Sequence, residues 1–313
     1  MVGLKDMMGG GTGETFLGLP ASQDVSQADI VVFGADCATP YASVGAYCAG
    51  GPAAIRAGSA DYAGDLQRVN FDLGGPILPA DVRAVDAGDL EVSAAAPGDN
   101  RARIEGFTRQ ILKAGAVPVL LGGDDSVPIP MLQAYGGQAP LTILQIDAHI
   151  DWRDTVQGER WGLSSTMRRA SEMAHVERIV QVGARGVGSA GMDALQAATD
   201  WGAEIFPAHT LAHGGLEQAI ASIPEGASVV VAFDCDALDP AIMPAVIAPT
   251  GGGLSYAQGL HLIRSVADKA RIVGVDMVEF LPDHDRDGAG ARTAAQLLTS
   301  VVGLIGRQRV AAR

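Results

Sequence analysis

Gln145-Ile146-Asp147-Ala148-His149-Ile150-Asp151 is the stretch whose reading decides the fold, and Asp234-Cys235-Asp236 completes it. Each follows a mostly apolar β-type run, Leu141–Ile146 in the first case and Val229–Phe233 in the second. Alternate residues of an extended backbone share a face. Asp147, His149 and Asp151 are therefore expected to point together, as are Asp234 and Asp236, with Ala148, Ile150 and Cys235 turned the other way. A single Asp at a strand end is ordinarily a helix cap or a turn residue. Two such clusters after two buried-strand patterns are a different matter. Carboxylates converging without Lys or Arg partners repel one another unless divalent cations neutralise them. Carboxylates with one imidazole are hard-to-borderline ligands, suited to Mn²⁺ or a similar ion, and a two-metal centre is the expected outcome.

Further short apolar runs recur along the chain, each closed by Gly, Asp or Pro: Ile30–Phe33, Val82–Val85, Val117–Leu121, Ile179–Val182 and Ile272–Val275. They read as buried parallel strands. Amphipathic stretches lie between several of them. Arg101–Ala114 puts Ile104, Phe107, Ile111 and Leu112 on one stripe, with Asn100 or Asp99 as its expected cap. Tyr256–Ala270 follows the same rule behind Ser255, and Ala291–Ile305 reads as a C-terminal helix. Strand–helix alternation over the whole length predicts one α/β domain, three layers deep, with a mainly parallel sheet between helices. Ligands of such sheets bind beyond the carboxyl ends of the strands. Gly122–Ser126 and both acidic segments fall there.

Composition sets bounds. The chain of 313 residues is 48% hydrophobic, enough for a large core. A net charge of −14, 5% aromatics and the lack of a Lys/Arg run argue against a nucleic-acid partner and for cations and cationic ligands. Cys37, Cys48 and Cys235 form no C-x-x-C, so free thiols in a reducing cytoplasm are expected. The first twenty residues lack a signal-type apolar core, and no apolar run reaches membrane length. The expectation is a soluble cytoplasmic protein with no membrane partner, its residues 1–25 forming an N-terminal arm.

At this point the chain resembles the ureohydrolases, the family of arginase, agmatinase and the guanidino-acid amidinohydrolases, and within it the agmatinase-like branch. The likeness runs through Gly50-Gly-Pro-Ala-Ala-Ile-Arg56, Asp86-Ala-Gly-Asp89, Gly122-Gly-Asp-Asp-Ser126, Asp147-Ala-His-Ile-Asp151, Phe233-Asp-Cys-Asp-Ala-Leu-Asp-Pro240, Gly252-Gly-Leu254 and Val275-Asp-Met-Val-Glu279 with Pro282. The resemblance implies an arginase-like fold over residues 1–313 and two Mn²⁺ ions per chain, with Ni²⁺ or Fe²⁺ as alternatives. It further implies that Asp147 and Asp234 bridge the ions, that Asp151 and Asp125 complete one set, and that His149 and Asp236 complete the other. A bridging hydroxide would attack the guanidinium carbon and release urea. Glu279 matches the carboxylate that receives the guanidinium, a bidentate pairing of planar groups. A homo-oligomer, trimeric or hexameric, is also implied.

Two departures from the family pattern stand out. Position 125 is Asp where the family places His, which adds negative charge and should lower the Lewis acidity of that ion. The segment Trp161-Gly-Leu-Ser-Ser-Thr-Met-Arg-Arg-Ala170 lacks the His-Gly pair whose His is assigned proton shuttling. His284 is the substitute expected from the other side. Trp152 and Ser164, with Trp161, are expected to border the substrate. Specificity is expected in loops 36–50 and 152–165, and Arg153, Arg160, Arg168 and Arg169 stand ready for a substrate carboxylate. The competing readings are a degenerate, non-catalytic or partner-dependent subunit of the same fold and a hydrolase of another C–N bond. Agmatine and guanidino acids remain open as substrates.

Overall fold

A computed structural model describes residues 11–313. Eight strands form one sheet: β1 (Ile30–Ala35), β2 (Ala84–Asp89), β3 (Val117–Gly122), β4 (Leu141–Ile146), β5 (Val176–Val182), β6 (Glu204–Phe206), β7 (Ser228–Asp234) and β8 (Arg271–Val278). Their spatial order is β2-β1-β3-β8-β7-β4-β5-β6, and every neighbouring pair is parallel. The expected parallel sheet with helices on both faces is thus present.

The period-two pattern of the strands divides the core. Ile30, Val32, Val119, Leu121, Val275 and Met277 point to one face, beneath the helices Gly51–Gly58, Leu216–Ser222, Tyr256–Lys269 and Ala289–Ala311. Val31, Phe33, Leu120 and Ile143 point to the other, beneath Pro97–Lys113, Pro128–Gln133, Thr166–Ser171 and Met192–Trp201. Burial on both faces explains why these strands read as unbroken apolar runs.

Helix ends are decided locally. Ser255 caps Tyr256–Lys269 as expected, in a reciprocal box with Gln258. The helix expected from Arg101 instead begins at Pro97, with Ala96 as its N-cap, because a proline ring pre-sets the first turn. Asn100 is not the cap. Its side chain bonds Ser93 and the Ala38 carbonyl, tying the helix to the loop after β1. Of the expected N-terminal arm, residues 1–10 lie outside the described residues. Phe16, Leu17 and Leu19 are buried against the body.

The sheet order carries the functional consequence. β3, β8, β7 and β4 are consecutive at its centre, and their registers end level: Leu121 beside Met277, Val278 beside Asp234, Ile146 beside Phe233. Segments far apart in sequence therefore empty into one place. Gly123 must be glycine here, because a Cβ would overlap the Asp36 carbonyl.

Candidate metal centre

One strand stops just short of the acidic residues and the other ends on the first of them. β4 ends at Ile146, and Asp147 turns the chain by accepting the His149 N–H at 2.6 Å. β7 ends at Asp234, whose side chain accepts the Asp236 N–H at 2.6 Å. Convergence therefore comes from two Asx-type turns rather than from strand alternation, which corrects the mechanism expected from parity. Asp151 completes the first turn with a left-handed φ of 42°, a conformation Asp tolerates better than most residues. Ala148, Ile150 and Cys235 do face the core.

Among the described residues two groups of side chains come close enough to grip an ion: Asp147, His149 and Asp236, and Asp125, Asp147 and Asp151. Asp147 belongs to both. His149 Nδ1 lies 3.0 Å from Asp236 and 3.4 Å from Asp147. Asp236 also accepts the Ala148 N–H at 3.0 Å. Asp234 adjoins the groups without joining either: one oxygen is spent on Asp236, and the negative charges of Asp236, Asp147, Glu279 and Asp125 all bear on it.

Electrostatics show what the cluster lacks. Burial, then neighbouring carboxylates, pushes Asp125, Asp151 and Asp234 well above the usual carboxylate range. Burial also opposes ionisation of Asp147, yet hydrogen bonds with His149 and Asp151 outweigh it and hold this carboxyl at about 2. His149 resists charge through burial, but the bonds and charges of Asp147 and Asp236 lift it to about 12. Without a cation, protons must stand in. Asp125 Oδ2 is buried and has no hydrogen-bond partner. An orphaned acceptor inside a ring of carboxylates and one imidazole fits divalent cations.

Glu279 follows β8 with a positive φ of 64°. Its Oε1 accepts the Asp125 N–H at 2.8 Å, and its Oε2 accepts the Tyr47 hydroxyl at 2.5 Å. Burial, then the Asp124 charge, raises its carboxyl to about 8. Glu279 and the segment that carries Asp125 are thus joined directly.

Residues the sequence did not single out support the cluster. Gln145 donates to Asp147 at 2.6 Å and Asp151 at 2.7 Å, and Gln181 donates to Gln145. Gln145 stands two residues before Asp147, so strand parity did mark it. Arg185 donates to the carbonyls of Asp236, Ala237 and Leu238, as well as Gly183 and Thr250, holding the turn after β7.

The other expected site residues make contacts of their own. Trp152 is a correction: it is 2% exposed in the core, its ring 5.8 Å from that of Trp201, so it packs beneath the loop instead of bordering substrate. Ser164 is buried, its N–H reaching the Tyr41 hydroxyl at 3.3 Å. With Arg101 stacked 5.3 Å over Trp161 and bonded to Thr39, this ties loop 152–165 to loop 36–50. His284 is exposed on the turn Pro282–His284, its Nδ1 3.2 Å from the Val246 carbonyl. Arg160, Arg168 and Arg169 pair with Asp154 and Glu172, and Arg153 Nε holds the Ser189 carbonyl at 2.6 Å.

A parallel α/β sheet with a carboxylate–imidazole cluster at the carboxyl ends of its central strands defines a metal-site hydrolase architecture. Residues 28–303 match the arginase family model, and the chain belongs to the arginase family. It is 34% identical over 237 residues to the guanidinopropionase of Pseudomonas aeruginosa, across 73% of this chain and 74% of that one. It is 30% identical over 295 residues to the proclavaminate amidinohydrolase of Streptomyces clavuligerus, across 90% of both. The crystal structure of a hypothetical agmatinase from Burkholderia thailandensis superposes with a TM-score of 0.81 at 27% identity, covering 95% of this chain and 92% of that one.

Proposed function

We propose that this protein hydrolyses the C–N bond of a guanidino compound, releasing urea and an amine. The observation that carries the reading is the joining of Glu279 to the ligand segment through Asp125 N, which sets a guanidinium receptor beside a cation-deficient carboxylate cluster. Asp125, Asp147, His149, Asp151, Asp234 and Asp236 would hold the ions, with Asp147 common to both groups. Divalent ions bound there supply Lewis acidity and a nucleophile drawn from water at neutral pH. Glu279 orients the planar cation, its charge matched to two N–H groups. Gln145 and Arg185 would fix the ligands in place, the first through the carboxylates of Asp147 and Asp151 and the second through the backbone of Asp236.

Mn²⁺ is the ion proposed, with Ni²⁺ or Fe²⁺ as alternatives. A trimeric or hexameric homo-oligomer belongs to the same reading through family membership, and a cytoplasmic location through the free thiols of Cys37, Cys48 and Cys235. Among the described residues no helix is long and apolar enough to cross a membrane. His284 is the proposed proton carrier, since it is exposed on the turn that follows Glu279. Three of the four arginines placed near the site by sequence are engaged with acids of their own segment, so the substrate's far end is not assigned to them.

The test is urea release from arginine, agmatine, guanidinobutyrate, guanidinopropionate, guanidinoacetate and guanidine by Mn²⁺-loaded protein. At least one should be turned over. In Glu279→Gln, metal content should persist while kcat/KM falls by about a hundredfold, because one acceptor becomes a donor facing the substrate's N–H groups. Near-normal turnover by the fully metallated variant would show that Glu279 is not the guanidinium receptor.

A further inference from the structure

The two oxygens of Glu279 are held by different parts of the chain. Oε1 takes the Asp125 N–H from the metal-ligand segment, and Oε2 takes the Tyr47 hydroxyl from the loop between β1 and the helix Gly51–Gly58. Tyr47 is the one large side chain in the run Gly45-Ala-Tyr-Cys-Ala-Gly-Gly51. It is half-buried, and Cys48 Sγ stands 3.9 Å from the same carboxylate oxygen. The loop's far end is fixed independently, since the Gly50 N–H donates to Asp36 at 2.8 Å. Burial, then the adjacent Glu279 charge, pushes the Tyr47 phenol far up, so it remains a donor.

This arrangement does something a merely packed tyrosine would not. A carboxylate turning about its last bond offers its lone pairs in many directions, and a planar cation needs one of them. A donor on each oxygen removes that rotation. Each oxygen keeps a second lone-pair direction, so a guanidinium adds to the arrangement without displacing either donor.

We propose that Tyr47 is a positioning residue for substrate: its hydroxyl sets the plane in which Glu279 receives the guanidinium, so the loop 36–50 governs capture of the reacting head group. The inference rests on the guanidino reading above. Its signature is a loss of binding with little loss of chemistry, because the interaction acts equally before and during the reaction.

The experiment uses the metal-loaded full chain as wild type, Tyr47→Phe, Glu279→Gln and the double variant, with guanidinium chloride as the binding probe and the substrate found by the urea screen. Tyr47→Phe should keep its metal content and raise KM and the guanidinium Kd by about tenfold, with kcat changed by less than about threefold. Guanidinium should produce a tyrosine difference spectrum in wild type that Tyr47→Phe lacks. In the Glu279→Gln background, Tyr47→Phe should add no further loss, as expected for two residues acting through one contact. Wild-type KM and Kd in Tyr47→Phe would overturn the inference and leave the guanidino reading standing. Loss of metal or of melting temperature in Tyr47→Phe, or additive losses in the double variant, would also overturn it, in favour of a packing role. A wild type that neither releases urea nor binds guanidinium overturns the guanidino reading and this inference together.

Discussion

Asp125 is where the proposed ligands depart from the pattern that the family resemblance implies, and Oδ2 of that residue is buried without a partner. If that oxygen holds an ion, Asp125→Ala should lose one of two ions by metal analysis, while Asp125→His should retain both and lower the pH optimum by removing a negative charge from the site. Full metal occupancy in Asp125→Ala would show that the oxygen never reached the metal. At this scale the sequence was legible wherever chemistry marks itself. Asp147, His149, Asp151, Asp234 and Asp236 share a spacing that apolar neighbours cannot disguise. Tyr47 was not legible, because its meaning depends on a contact with a residue 232 positions away. Trp152 misled for the opposite reason, since an aromatic beside a metal motif reads as a wall until its burial against Trp201 is seen.

Among the elements, the long buried strands were visible within a few residues, and the short ones were not. β6, Glu204–Phe206, is a half-buried edge strand of three residues, too brief for a pattern. The hairpin of Val69–Asn70 with Gly75–Pro76 is shorter still. The turns after β4 and β7 were read as continued strand, because parity and an Asx turn both bring residues i and i+2 together. Arg185 shows how such a turn is kept: its guanidinium gathers consecutive carbonyls at 236–238, the nearest at 2.6 Å. Arg185→Met should leave those acceptors unmet and destabilise the fold by about 1–3 kcal/mol in denaturant titrations. It should also weaken metal affinity by roughly tenfold or more, since Asp236 loses its support. Unchanged metal affinity at reduced stability would confine Arg185 to the scaffold.

For the molecule as a whole, the cluster makes stability depend on pH in a direction opposite to that of most acidic proteins. Asp125, Asp151, Asp234 and Glu279 hold protons in the metal-free fold that the unfolded chain has already released, Glu279 up to about 8 against an ordinary 4.5. The folded state then binds more protons, so stability falls as pH rises through that interval. His149, raised to about 12 from 6.5, acts in the same sense above its ordinary value. Asp147, held at about 2, contributes stability lost only on acidification below its ordinary 3.8. Chelated protein should therefore melt lower at about pH 8 than at about pH 5, whereas Mn²⁺ should abolish the decline and release protons as it binds. A chelated protein that melts higher at the alkaline end would contradict the cluster's electrostatics. The sheet order has a further consequence during synthesis. β8, the last strand made, enters between β3 and β7. Until residues 271–278 leave the ribosome, a nascent chain carries a slot at the middle of its sheet, and the carboxylates on either side of it have no common floor. On the proposed reading, ion capture is thus deferred until residues 271–278 are in place.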